Sequence, residues 1–178
     1  ARLLRRRLAS EEVFFYHAGL NAGERRRVQR WFSGSSDGLL ASTSAYGLGV
    51  DKPDIRTVIH AEPPYSVEAY LQEAGRAGRD GEPAQAVLLV GPGDRLFDAG
   101  FALKPEQAEV QRRRYRLLLS AVLDHGRCRR ESLLEGLGLS RGPGACSGCD
   151  VCDGTVQVQP ESWNLLREFF RMHPRRFG

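Results

Sequence analysis

Three of the four cysteines, Cys146, Cys149 and Cys152, stand in the pattern C-x-x-C-x-x-C, and Cys128 lies eighteen residues upstream of the first of them. Four thiolates are the complete ligand set of a closed, tetrahedral structural zinc site. Gly142, Gly144 and Gly148 provide turns through which the sulfurs can converge. An iron–sulfur cluster uses the same cysteine triplet, and disulfides are a further possibility. The placement of Cys128 on a separate helix favours Zn2+ over a cluster, and the intracellular setting expected from an N-terminus without a signal pattern speaks against disulfides.

A second stretch, QEAGRAGRDG from Gln72 to Gly81, places Arg76 and Arg79 between glycines at the end of an expected helix. Two guanidiniums so close together call for anions. Phosphate fits, because the planar fork bonds its oxygens in pairs. An ion pair with Glu73 or Asp80 is the structural alternative. Upstream, ASTSAYGLGVDKPDIRTVIH (Ala41 to His60) runs from one strand through a glycine-bearing loop into the next. Such a loop can bring backbone N–H groups against an anion, although any strand-to-helix loop may use glycine for its turn alone.

The elements that would hold these groups alternate in type. Val13 to Tyr16, Leu39 to Ala41, Thr57 to His60 and Ala86 to Val90 are short apolar runs separated by helical patterns. That alternation predicts an α/β fold with a parallel sheet. Asn21 with Glu24 forms a capping box ahead of a helix whose inward stripe is Val28, Trp31 and Phe32. Ser66 caps a helix running toward Gly75, after Pro63-Pro64 has ended the third strand. Beyond Gly91-Pro92-Gly93 the pattern is helical only. Pro105 opens a long helix to about Asp124, with Val110, Leu117 and Ala121 expected on its apolar face, and a shorter helix begins near Cys128. The predicted division is a lobe over 1–100, a helical metal-binding subdomain over 101–154, and a linker with the start of a further domain over 155–178. Trp163, Leu166, Phe169 and Phe170 recur at helical spacing in that last part. Leu3, Leu4 and Leu8 among arginines read as the end of a helix, so the chain is expected to begin inside something larger.

The 178 residues carry a net charge of +4, and all but two of the 26 basic residues are arginine, the exceptions being Lys52 and Lys104. Clusters such as Arg5 to Arg7, Arg25 to Arg27 and Arg112 to Arg114 suit an anionic partner, and are equally the composition of solvated helix faces. No apolar run approaches the ~18 residues of a membrane span, so no membrane partner is expected.

Taken together, YHAGL (Tyr16 to Leu20), the spacing of Arg25, Gln29 and Phe32, the block STSAYGLGVDKPDIRTVIH and QEAGRAGRDG resemble motifs IV, V and VI of the second RecA-like lobe of RecQ-family DNA helicases. The departures are Ser42, Tyr46 and Leu48, where that family usually has Ala, Phe and Met. RNA helicases with a DEAD box usually carry His-Arg where this chain has Gln72-Glu73. The resemblance implies a RecA-like helicase lobe followed by a small helical zinc-binding subdomain opening on Cys128-Arg129-Arg130, and then by a winged-helix domain.

It further implies that ATP and Mg2+ are held mainly by a first RecA-like lobe of the same protein, whose phosphate loop and acidic box are absent from this sequence. Arg79 would be the arginine finger and Arg76 its neighbour. Gly49, Asp51 and Gln72 would lie by the nucleotide, and His17 and Thr43 would face nucleic-acid phosphates. The implied partner is DNA, single-stranded or as junction-containing duplex. The implied activity is ATP-dependent 3′-to-5′ unwinding in repair and recombination, at the nucleoid of a bacterium or in a eukaryotic nucleus, with this chain inactive alone. Two alternatives stay open: another enzyme that shares the lobe, such as an RNA helicase or a translocase, and a non-catalytic zinc module that binds DNA or protein.

Overall fold

A computed structural model describes residues 12–43, 52–95, 98, 103–140, 142, 144–146 and 148–156. The described residues within Ala1–Arg56 and Arg76–Gln85 form one compact unit, and those within Thr57–Gly75 and Ala86–Arg171 form another.

In the first unit, β1 (Val13–Tyr16) and β2 (Leu39–Ser42) pair in parallel, Val13 opposite Leu39 and Tyr16 opposite Ser42. Helix α1 (Ala22–Gly34) makes the return between them. Its start is set by local chemistry: Asn21 Oδ1 accepts the Glu24 N–H at 2.9 Å, and Glu24 Oε2 accepts the Asn21 N–H at 2.9 Å. The inward side of the helix buries Val28 and Phe32 against Tyr16 and Leu20, with Phe14, Trp31, Leu40 and Ile55 packed around them. Lys52 is buried beneath this core, where the charge is satisfied on three sides. Its ammonium donates to Ser35 O at 2.6 Å, lies 2.9 Å from Asp54 Oδ1, and sits 5.4 Å from the centroid of the Phe32 ring.

In the second unit, β3 (Thr57–His60) pairs with β4 (Gln85–Leu88). The four strands predicted from sequence thus form two pairs among the described residues. Ser66 Oγ accepts the Ala69 N–H at 3.2 Å and starts α2 (Val67–Ala74). After the short α3 (Pro92–Arg95) come α4 (Pro105–Leu123) and α5 (Arg129–Gly136). Val67 of α2, Leu118 and Ala121 of α4 and Leu133 of α5 share one core, flanked by Tyr70, Leu71, Val122 and Leu137.

The buried side of α4 carries Ala108, Tyr115, Leu118, Leu119 and Ala121. Val110 and Leu117, expected to face inward, are 54% and 40% exposed. Both stripes have helical spacing, and the one that meets Val67 and Leu133 is buried.

Candidate metal centre and arginine turn

The turn that carries the two arginines is fixed by its backbone. Gly78 N–H donates to Ile55 O at 2.9 Å and Asp80 N–H to Pro53 O at 3.3 Å, so residues 76–81 are laced onto the segment that precedes β3. Gly78 has φ +65°, and a Cβ there would meet Glu82 O at 2.9 Å and Ala84 Cβ at 3.0 Å, so glycine is required both for conformation and for space. Arg56 completes the anchorage. Its guanidinium pairs with the Asp80 carboxylate and donates to Pro83 O at 3.3 Å and Asp54 O at 3.2 Å. Burial works against ionisation of Asp80, yet Arg56 and the Glu82 N–H hold its carboxyl below the usual range. On this turn Arg76 is half-buried and Arg79 exposed.

Of the two carboxylates flanking this turn, Asp80 meets Arg56, and Glu73 lies 3.0 Å from His60 Nε2. His60 is 7% exposed with the Tyr70 ring 5.1 Å away, and its contact with Glu73 lacks the directional geometry of a hydrogen bond. Gln72 is exposed on α2. Gly49 and Asp51 lie outside the described residues.

His17 and Thr43 are both half-buried and follow directly on β1 and β2. The parallel register brings them together: the Thr43 N–H donates to Tyr16 O at 3.1 Å, extending the ladder past the ends of both strands. His17 Nδ1 accepts the Gly19 N–H at 3.1 Å while its ring stacks on Phe15 at 5.6 Å. A ring accepting at Nδ1 carries its proton at Nε2, a donor suited to a phosphate oxygen.

The sulfurs of Cys128, Cys146, Cys149 and Cys152 all lie within 4.8 Å of one another. Ligands ~2.3 Å from a tetrahedral zinc are about 3.8 Å apart, so the set closes on an ion with small movements. All four are free thiols. Cys128 is the residue before α5, and the others lie on a loop whose knuckle is closed by Cys152 N–H donating to Cys149 Sγ at 3.4 Å and Asp153 N–H to Cys149 O at 2.9 Å.

The four thiols differ in acidity. Burial opposes ionisation of Cys149, but the backbone N–H groups of Cys152 and Arg129 and the neighbouring thiols bring it down to about 6. Cys152 is pushed up to about 12, first by its hydrogen bond to Cys149 and then by that to Cys128. The Glu131 N–H lowers Cys128, and loss of hydration raises Cys146. Sulfurs this close cannot all shed their protons without a cation between them, which is the chemistry of a four-thiolate metal site. A bound zinc would be held by these four residues and would contribute cross-linking of the fold.

Arg129, which no spacing rule singles out, ties the loop to both helices. It donates to Asp150 through Nε at 2.6 Å and Nη2 at 2.9 Å, and through Nη1 to the Val122 carbonyl of α4. Arg129 keeps the Asp150 carboxyl below the usual range. Arg130 donates to Gly148 O at 3.2 Å. The two guanidiniums also place positive charge beside what would be a net-negative four-thiolate centre.

Residues 1–81 match the family model for the helicase conserved C-terminal domain. The chain is 36% identical over 172 residues to the ATP-dependent DNA helicase RecQ of Pasteurella multocida, covering 92% of this chain and 26% of that protein. It is 37% identical over 170 residues to the RecQ helicase of Bacillus subtilis, covering 92% of this chain and 28% of that one. This is a RecQ-family helicase C-terminal region. The probable ATP-dependent DNA helicase RecS of Bacillus subtilis is 49% identical over 85 residues, 48% of this chain and 17% of that protein. The chain therefore spans about a quarter of the length of the RecQ proteins it matches. In this RecQ-family region the match over 92% of the chain takes in the cysteine segment as well as the arginine turn. No helix among the described residues is long and apolar enough to cross a membrane.

Proposed function

We propose that this chain is the second RecA-like lobe and zinc-binding subdomain of an ATP-dependent DNA helicase that moves 3′ to 5′ and acts in DNA repair and recombination. The lobe occupies 1–100, the zinc subdomain 101–154, and a linker with the start of a winged-helix domain 155–178. The observation that carries the reading is the pairing of two features in one chain: an arginine turn locked by its backbone, and four cysteine sulfurs within 4.8 Å of one another.

Arg79 is the finger that neutralises charge on the transferred γ-phosphoryl group, with Arg76 beside it. Its exposure on an anchored turn suits a group that must reach a phosphate held by another lobe. Gly49, Asp51 and Gln72 line the same nucleotide, with ATP and Mg2+ held principally by the first RecA-like lobe. His17 and Thr43 contact DNA phosphates. Nucleotide-dependent approach and withdrawal of Arg79 couples lobe closure to stepping along the strand. Zn2+ on Cys128, Cys146, Cys149 and Cys152 stabilises the platform that holds the duplex. The site of action is the bacterial nucleoid or the eukaryotic nucleus.

The isolated 178-residue chain, having no phosphate loop, is expected to hydrolyse no ATP above background with DNA present, and to bind DNA weakly with a steep salt dependence. Adding the first lobe on the same polypeptide is expected to restore hydrolysis. Salt-insensitive, tight binding of one DNA sequence by the isolated chain would instead make it a binding module.

A further inference from the structure

The outward face of α1 concentrates positive charge. Arg25, Arg26, Arg27 and Arg30 are all exposed, and among the described residues none of them has an ion pair. The acid of that helix, Glu24, is occupied by its capping box. Other described arginines behave differently. Arg112 pairs with Asp98, Arg116 with Glu109, Arg127 with Glu135 and Arg129 with Asp150. Among the described residues, four cations within six residues without an ion pair cost mutual repulsion, which a run of phosphates would relieve.

Arg26, Gln29, Arg30 and Ser33 line a shallow depression along this face. Arg26 and Arg30 are one helical turn, about 6 Å, apart. Each strand of a duplex carries one phosphate per ~3.4 Å of helix axis, so two neighbouring phosphates fall within reach of this pair. Among the described residues of α1 no aromatic ring is available to stack on a base. Phe32 is buried, and Trp31 lies against Phe14 with its Nε1 donating to Glu12. Gln29 is engaged with the Tyr16 hydroxyl at 3.1 Å. The face therefore suits a regular array of phosphates better than unstacked bases.

We infer that Arg26 and Arg30, with Arg27 beside them, form a contact surface for the phosphate backbone of duplex DNA, separate from His17 and Thr43. This inference rests on the helicase reading and deepens it. Its test uses the complete protein, comparing wild type with the double variant Arg26→Ala/Arg30→Ala. The probes are a blunt-ended duplex and a single strand of equal length.

For the duplex, the slope of log affinity against log salt is expected to become shallower by about 1.8, from ~0.9 per lost phosphate contact. ATP turnover stimulated by the single strand is expected to match wild type. Arg26→Lys/Arg30→Lys should keep the wild-type slope. An unchanged duplex slope in the alanine variant would overturn the inference and leave a solvated face or one that meets an acidic protein. Reduced stimulation by the single strand would overturn it by placing the face on the single-strand path. Failure of the helicase reading itself would look different, since wild type would then show no ATP turnover stimulated by the single strand, whatever its duplex slope.

Discussion

Arg79→Ala in the complete protein is expected to lower DNA-stimulated ATP turnover by a factor on the order of 10³ or more while nucleotide affinity stays close to wild type. The asymmetry follows from where the charge is needed. Phosphoryl transfer spreads negative charge over the equatorial and bridging oxygens in the transition state, and a guanidinium that meets that charge lowers the barrier more than it lowers the ground state. The turn holding Arg79 is fastened by Gly78 and Asp80 backbone bonds and by Arg56, so removing an exposed side chain leaves its frame standing. Steady-state turnover together with equilibrium binding of a non-hydrolysed nucleotide analogue reads both quantities. Turnover within a few-fold of wild type would remove Arg79 from the mechanism.

Cys149→Ser is expected to reduce bound zinc sharply and to open the region after about Gly126 to protease, while the unit built on Tyr16, Leu20, Val28 and Phe32 remains folded. Apparent zinc-binding free energies of ~10–16 kcal/mol in small zinc-finger peptides set the upper scale for what the site can contribute to local folding. The segment from Gly142 to Asp153 has little apolar surface of its own. What holds it in place is Arg129 on Asp150, Arg130 on the Gly148 carbonyl, and the convergence of the sulfurs. The first unit has its own buried cluster. Elemental analysis of wild type should find one zinc per chain and no iron. A colourless, metal-free preparation with disulfides would contradict the assignment, and a brown one would replace zinc with an iron–sulfur cluster.

Much of this was legible because the signals are local. Asn21 and Glu24 cap α1 through bonds between neighbours three residues apart, and Ser66 does the same for α2. The cysteine spacing likewise pointed to one converging four-sulfur set, which the structure shows. The apolar face of α4 did not, because Ala108, Tyr115 and Leu118 on one side and Val110 and Leu117 on the other both recur at helical period. The choice between them is made by Val67 and Leu133, which arrive from other elements. The anchoring roles of Arg56 and Arg129 were hidden for the same reason. Their partners, Asp80 and Asp150, lie 24 and 21 residues away, and a single arginine beside a motif carries no pattern of its own. Both stand directly beside a motif, in DIR before β3 and in Cys128-Arg129-Arg130, and that adjacency is the signal that could have found them.

The most direct measurement is strand separation by the complete protein on two partial duplexes that differ only in whether the single-stranded tail is 3′ or 5′. With ATP and Mg2+ the 3′-tailed substrate is expected to be unwound and the 5′-tailed one left paired, with no separation when ATP is replaced by a non-hydrolysed analogue. Binding of both substrates without ATP-dependent separation of either would contradict the helicase account and leave a DNA-binding zinc protein in its place.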